Sequence, residues 1–346
     1  MSAPSEAAHA GTTDPRPGRG DPAALFQRAT EGDRGALARL LSFVEGGGEL
    51  SRAVARLSYR AGPPYVVGLT GAPGVGKSTL ADQLVSVARA GWPAVAASGS
   101  VPGAGARALE QIAVLAIDPT SPFTGGAILG DRARMQRHAT DPSVFIRSMA
   151  TRGHLGGLAL AVPDALRVLG AAGISVVVVE TVGVGQVEVE VASASDTTVV
   201  VVTPGWGDSL QAAKAGLLEV ADLFVINKAD RPGATEAARD LRQMLSLGAT
   251  QEWNPPIIET VSTTGEGIDP LWAAVAGHRA YLEASGRLAA RRSARVEQEL
   301  RKVLLARLEA NLDVLTDSSE YRRALDELRE GLADPYEVAD RLLESS

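Results

Sequence analysis

The stretch Gly71-Ala72-Pro73-Gly74-Val75-Gly76-Lys77-Ser78 satisfies every fixed position of the phosphate-binding pattern G-x-x-x-x-G-K-[ST], and it narrows the fold more than any other part of the chain. The pattern works only between a buried strand and a helix. Tyr65 to Thr70 reads as the strand and Thr79 to Val85 as the helix. Glycines let backbone N–H groups turn towards phosphate oxygens, Lys77 reaches the β and γ oxygens, and the Ser78 hydroxyl suits the shell of a Mg²⁺ ion. Gly74, Val75, Gly76, Lys77, Ser78 and Thr79 are therefore the expected cradle for a nucleoside triphosphate. A glycine-rich link between a strand and a helix is the plainer alternative, and the Lys-Ser pair in register argues against it.

The 346 residues exceed what one core usually holds, so one large domain with helical extensions is expected. A formal net charge of −7 argues against a nucleic-acid partner, which calls for a basic face. With no cysteine, thiol chemistry and thiolate metal sites are excluded, and a reducing, cytoplasmic setting is the expectation. Residues 1–21, rich in Ala, Gly, Pro, Ser and Thr without an apolar core, read as a disordered tail rather than a secretory signal. No apolar run approaches membrane-spanning length, so no membrane association is expected.

Helical spacing of Phe26, Ala29, Leu37, Leu40, Leu41 and Val44 marks residues 22–62 as an N-terminal helical extension. A nucleotide domain is expected over 63–283. After the first strand and helix, a Gly/Ala/Ser/Pro-rich segment from about Ala94 to Leu109 reads as a surface loop or insertion. Strands are expected at Ile112–Ile117, Val144–Arg147, Ile174–Glu180, Thr197–Thr203, Leu223–Asn227 and Ile257–Val261, with a polar helix near Arg132–Ala139 and another running towards Ala171. Such β-branched runs, alternating with helices, predict an α/β fold built on a doubly wound, mostly parallel sheet. Ligands on such sheets sit at the carboxyl ends of strands, where Gly71, Asp118, Glu180 and Asn227 all fall. Residues 284–346 read as a helical arm in which Val296, Leu300, Leu304, Leu308 and Leu312 form a stripe, followed by a helical stretch near Tyr321–Gly331. That stripe needs cover, either from the chain's own domain or from another subunit.

Asn227-Lys228-Ala229-Asp230 matches the N-K-x-D guanine-reading pattern. A carboxylate at Asp230 can accept from guanine N1–H and the 2-amino group, whereas adenine leaves it unmatched. Asn227 supports the loop and meets N7, the Lys228 stem covers a face of the base, and Ser262-Thr263-Thr264 stands where a backbone contact to the base oxygen is expected. An Asp capping a helix before Pro232 is the alternative. Phosphoryl transfer needs a metal, a placed water and fixed positive charge. Glu180-Thr181-Val182-Gly183 stands where Asp-x-x-Gly is common, with Glu180 towards a metal-bound water and the Gly183 N–H towards the γ-phosphate. Asp118 and Asp131 fit either the metal's surroundings or a cap or turn. Gln186 fits either a water-orienting residue or a polar loop, and His154 takes no catalytic role.

These residues, together with the blocks GLTGAPGVGKST, AIDPTSPFTGGAILGDRARM, FIRSMATRGHLGG, VVVVETVGVGQVEVEVA and TPGWGDSLQAAKAG, resemble the MeaB/MMAA (also ArgK-labelled) P-loop GTPases over roughly Phe26 to Tyr281. The resemblance implies a homodimeric GTPase with a C-terminal dimerisation arm, binding GTP/GDP and Mg²⁺ and chaperoning an adenosylcobalamin-dependent acyl-CoA mutase, methylmalonyl-CoA mutase foremost. It implies that Lys77 and Ser78 hold phosphate and metal, that Asp118, Asp131 and Glu180 complete the magnesium and catalytic set, and that Asn227, Lys228 and Asp230 read guanine. The loops Asp118–Gly130, Gly183–Glu188 and Gly205–Lys214 resemble switch regions, with Lys214 coupling the partner to hydrolysis. Cobalamin itself is not expected to bind, because no D-x-H-x-x-G stretch supplies a histidine to cobalt. A binding switch with negligible turnover, and a kinase acting on a transport protein, are the rival readings.

Overall fold

The computed structural model describes residues 20–89, 91, 111–118, 135–138, 140–150, 157–181, 191–205, 220–247 and 252–344. Its strands are β1 (Tyr65–Thr70), β2 (Ile112–Asp118), β3 (Val144–Ala150), β4 (Val176–Thr181), β5 (Thr197–Val202), β6 (Leu223–Asn227) and β7 (Ile257–Thr260). The helices used below are α1 (Pro22–Thr30), α2 (Arg34–Gly46), α3 (Gly48–Ser58), α4 (Lys77–Ala88), α5 (Gly157–Ala171), α6 (Ala234–Leu247), α7 (Ile268–Ala284), α8 (Arg287–Thr316), α9 (Ser319–Arg329) and α10 (Pro335–Glu344).

All seven strands join one parallel sheet in the order β3-β2-β4-β1-β5-β6-β7. Every residue of β1, β2, β4, β5 and β6 is buried, which is why these strands read as continuous apolar runs instead of alternating ones. The faces still differ by parity. Val67, Leu69, Val178 and Val201 pack with Leu80 and Leu84 of α4 and with Trp272 and Val275 of α7. Val66, Leu115, Val177 and Val179 pack on the opposite face with Leu166 and Leu169 of α5 and with Leu37, Leu40 and Leu41 of α2. The N-terminal helices are thus part of the core. Asp21 caps α1 by accepting from the Ala23 and Ala24 N–H groups, and Asp33 caps α2 through Ala36, each worth about 1 kcal/mol. The segment 94–109 and the expected Arg132–Arg134 part of a polar helix lie outside the described residues; Gln136–His138 is a single 3₁₀ turn.

The C-terminal arm is fastened by charge. α8 has no buried residue, yet its first turns carry three arginines onto the amino ends of the strands. Arg291 grips Asp222 with two bonds of 2.8 and 3.0 Å, and Arg292 meets Asp196 at 2.7 Å, joined there by Arg295. Asp196 is fully buried, and its Oδ2 also accepts from the Val66 N–H at 3.0 Å. Burial opposes its ionisation, but Arg292 and Arg295 outweigh that and hold the carboxyl below its usual range. Farther along, Arg167 of α5 binds Glu299 at 2.8 Å. Beyond that point Leu300, Leu304, Leu308 and Leu312 are more than half exposed, so among the described residues the chain's own nucleotide domain does not cover the stripe. α9 and α10, the latter not singled out within the helical arm expected over 284–346, bury a small cluster around Ala324, Val338 and Leu342.

His278 of α7 completes this junction. It is fully buried, with Nδ1 2.9 Å from Thr197 Oγ1 and Nε2 3.3 Å from Asp222 Oδ1. Burial pushes its pKa down to about 4, with the Asp222 charge opposing.

Removing a buried carboxylate strands its two arginines, so Asp196→Ala is expected to lower the unfolding free energy by about 3 kcal/mol in denaturant titration; an unchanged midpoint and slope contradict the clamp. A folded-state pKa lowered from 6.5 to about 4 means that the unfolded chain binds the extra proton, so the stability from neutral His278 is lost as pH falls through that window. The stability advantage of wild type over His278→Gln should shrink on acidification from pH 6.5 to 4, by on the order of 3 kcal/mol. A pH-independent difference rules out the buried neutral imidazole.

Candidate nucleotide site

β1 lies centrally in the sheet and delivers the chain at Gly71 to the carboxyl edge. Gly71 has φ 137°, and a Cβ there falls 2.1 Å from the Val201 carbonyl oxygen of β5, so no larger residue fits. Gly76 has φ 99°, and its Cβ would fall 2.5 Å from Asn227 Nδ2. Immediately after it α4 begins, with no side-chain cap on its first N–H groups. An uncapped helix start offers donors and the positive end of the helix dipole to an anion. Lys77 is buried, and its Nζ donates to the carbonyl oxygens of Gly71 at 2.5 Å and Ala72 at 3.1 Å, which holds the ammonium inside the loop. Ser78 is half-buried and Thr79 exposed, while Gly74 has φ 78° and Val75 is buried.

Two carboxylates stand beside this loop. Register sets Glu180 of β4 against Leu69 of β1 and Ala116 of β2, and Asp118 ends β2. Both share the parity of Val114 and Val178, so they belong to the sheet face that α4 covers. Both are almost completely buried, at 3% and 1% exposure for Asp118 and Glu180, a burial that ionised carboxylates tolerate only beside positive charge or donors. Two such carboxylates at strand ends on the face covered by α4, whose first turn carries Ser78, fit Mg²⁺, which takes one or two carboxylates and leaves its other positions to phosphate and water. Among the described residues no cluster of three potential metal-ligating carboxylates or histidines occurs. Asp131, Gly183 and Lys214 lie outside the described residues, as do Gln186, His154 and most of the three switch-like loops.

The guanine-reading pattern sits at the end of β6 and is bonded to the phosphate loop. Asn227 is buried, and its Nδ2 donates to the Val75 carbonyl at 2.8 Å. Its Oδ1 accepts from Thr260 Oγ1 and from the Ser262 N–H, both at 3.2 Å. Lys228 takes a left-handed φ of 59° and its Nζ donates to the Gly74 carbonyl at 2.6 Å. Asp230 follows in the turn and is exposed. It does not cap α6, which begins at Ala234. The Ser262 N–H is committed to Asn227 and so is not available to meet the base oxygen. Val75, Gly74 and Thr260 as partners of the base loop carry no local sequence signal, because 152 residues separate Asn227 from Val75.

The family profile described as "Methylmalonyl Co-A mutase-associated GTPase MeaB" matches residues 37–316, from within α2 to the last residue of α8. The chain belongs to the MeaB family of GTPases. Within it, a Pyrococcus abyssi protein named as a GTPase is 46% identical over 324 residues, covering 92% of this chain and 95% of its own. The Escherichia coli K12 protein named GTPase ArgK is 35% identical over 289 residues, covering 80% and 82%. A crystal structure titled LAO/AO transport system kinase superposes with a TM-score of 0.63 at 29% identity, over 93% of this chain and 96% of that one. The seven-stranded parallel sheet is thus a P-loop GTPase sheet.

A methyl group at Gly76 has to displace an Asn227 amide held by three bonds. Gly76→Ala is therefore expected to weaken GDP binding at least about tenfold in calorimetric titration while the far-ultraviolet circular dichroism spectrum is retained; undiminished affinity contradicts the described contact.

Proposed function

We propose that this chain binds and hydrolyses GTP to gate cofactor loading, and to protect or reactivate an adenosylcobalamin-dependent acyl-CoA mutase, with methylmalonyl-CoA mutase as the foremost client. The bonded union of phosphate loop and base loop supports guanine as the base, and the mutase-associated family description supports the client. In this reading Gly74 to Thr79 hold the phosphates, Lys77 neutralises their charge, and Ser78, Asp118, Glu180 and Asp131 hold Mg²⁺ directly or through water. The metal would shield phosphate charge during transfer. Asp230 accepts the two guanine donors, the Lys228 stem lies along the base, and Gly183 and Lys214 belong to loops that respond to the γ-phosphate. Fixed donors at the uncapped start of α4 favour the anionic transferring group without having to reorganise.

The uncovered Leu300 to Leu312 stripe supports a homodimer in which a second copy packs on the arm. A cytoplasmic setting goes with this reading and with the cysteine-free chain. Among the described residues no helix is long and apolar enough to cross a membrane.

Lys77→Ala should abolish tight nucleotide binding. Asp230→Asn should cost about 100-fold in GTP affinity, the loss of two hydrogen bonds to a charged acceptor. The deciding assay is single-turnover hydrolysis of γ-labelled GTP and ATP with and without a purified mutase. GTP-selective phosphate release, accelerated by the mutase, supports the proposal. Equal turnover of ATP contradicts it, nucleotide-dependent mutase binding without turnover replaces it by a pure switch, and label appearing on a protein replaces it by a kinase.

A further inference from the structure

A second concave site lies on the sheet face opposite α4, running from the amino end of β1, about 20 Å along that strand from the phosphate loop at 3.3 Å per residue, to Ala150 at the carboxyl end of β3. It has two chambers. One, of about 380 Å³ between α5, α8 and the start of β1, is lined mainly by apolar side chains including Val66, Val162, Leu166, Val191 and Val296. The other, of about 770 Å³ between α3, α5 and α8, carries Arg52, Arg56, Arg60 and Arg307. Tyr59, Arg167 and Glu299 form a wall common to both.

The charges of the wall are internally matched. Arg167 binds Glu299 at 2.8 Å and Asp164 at 2.9 Å, and its guanidinium lies 4.9 Å from the Tyr59 ring centre. At the far side Glu45 is taken by Arg147 at 3.0 Å. The remaining four arginines have no acidic partner among the described residues. Arg52, Arg56 and Arg60 follow one another at intervals of four, so they project from one side of α3 and its end, a like-charge spacing that weakens a helix. In a chain of net charge −7, four exposed guanidinium groups without acidic partners around one cavity make a local positive field that favours an anion.

We propose that these chambers form a second ligand site, taking an organic phosphate that carries an apolar tail: the phosphates on the arginines, the tail in the chamber beside Val296. Guanidinium forks match phosphate oxygens in pairs. The chamber volumes lie in the range of small-molecule sites; apolar side chains predominate in the smaller, and all four unmatched arginines lie in the larger. An acidic peptide segment would satisfy the arginines but has less use for the apolar chamber beside Val296.

The test is calorimetric titration of the full chain saturated with GDP and Mg²⁺, so that the nucleotide site is filled, using octanoyl-coenzyme A as probe and coenzyme A, octanoate and an alternating Glu-Leu peptide as comparisons. Octanoyl-coenzyme A should bind at least about tenfold more tightly than coenzyme A, and octanoate alone should not bind measurably. The exposed double variant R56Q/R60Q should weaken both coenzyme A ligands at least about tenfold. Val296→Trp should erase the advantage of the octanoyl tail while leaving coenzyme A binding in place. Unchanged GDP affinity in both variants reports an intact fold. The proposal is overturned by the absence of saturable binding of octanoyl-coenzyme A, by binding indifferent to R56Q/R60Q, or by tighter binding of the acidic peptide.

Discussion

The side chain of Asn227 is the tie on which the nucleotide site depends. With one amide it donates to the phosphate loop at Val75 and accepts from Thr260 and Ser262 around the base loop. Lys228 adds a second tie to Gly74. The Asn227 bonds are buried, where a polar group without a partner costs about 1–3 kcal/mol, so the two loops cannot drift apart cheaply, whereas the Lys228 bond is exposed. A loop that grips phosphates and a loop that selects the base therefore hold one geometry. The left-handed Lys228 is the backbone strain accepted to reach it.

The sheet supplies the remaining constraint. Because its inner strands are buried on both faces, their carboxyl ends form a rigid edge, and register places Glu180 beside β1 and Asp118 one strand farther out, both on the α4 side. The opposite edge is held equally firmly by Asp196 and Asp222, which accept backbone N–H groups of β1 and β5 as well as the arginines of α8. The arm is thus bonded to strands whose far ends carry the phosphate loop and the base loop.

Much of this was legible in the chain. All seven strands stood out, five of them as apolar runs because burial on both faces leaves few polar interruptions, although β3 continues past Arg147 to Ala150 with half-buried polar residues that blur its end. The phosphate and guanine motifs were readable because each is a contiguous set with a fixed backbone task. The Leu300 to Leu312 stripe was readable from its spacing of four, and its exposure resolves which of two covers is absent within the described residues. The arginine clamp was not readable: Arg292 lies 96 residues from Asp196, and neither residue departs from what a surface helix or strand end ordinarily carries. Helix α10 lies inside the stretch 284–346 read as helical but was not set apart as an element of its own, although Val338 and Leu342 stand at helical spacing. The ties from Asn227 and Lys228 escaped for the same reason as the clamp, since a hydrogen bond across 152 or 154 residues leaves no local pattern.

If the two loops form one bonded unit, a change in the base loop must be felt by a ligand that has no base. The direct measurement is the affinity of inorganic tripolyphosphate for wild type and for Asn227→Ala in the presence of Mg²⁺. The bonded unit predicts a loss of at least about fivefold, the effect of one hydrogen bond of about 1 kcal/mol. Tripolyphosphate affinity that stays at the wild-type value while GDP affinity falls would show that Asn227 serves only the base, and would contradict the account.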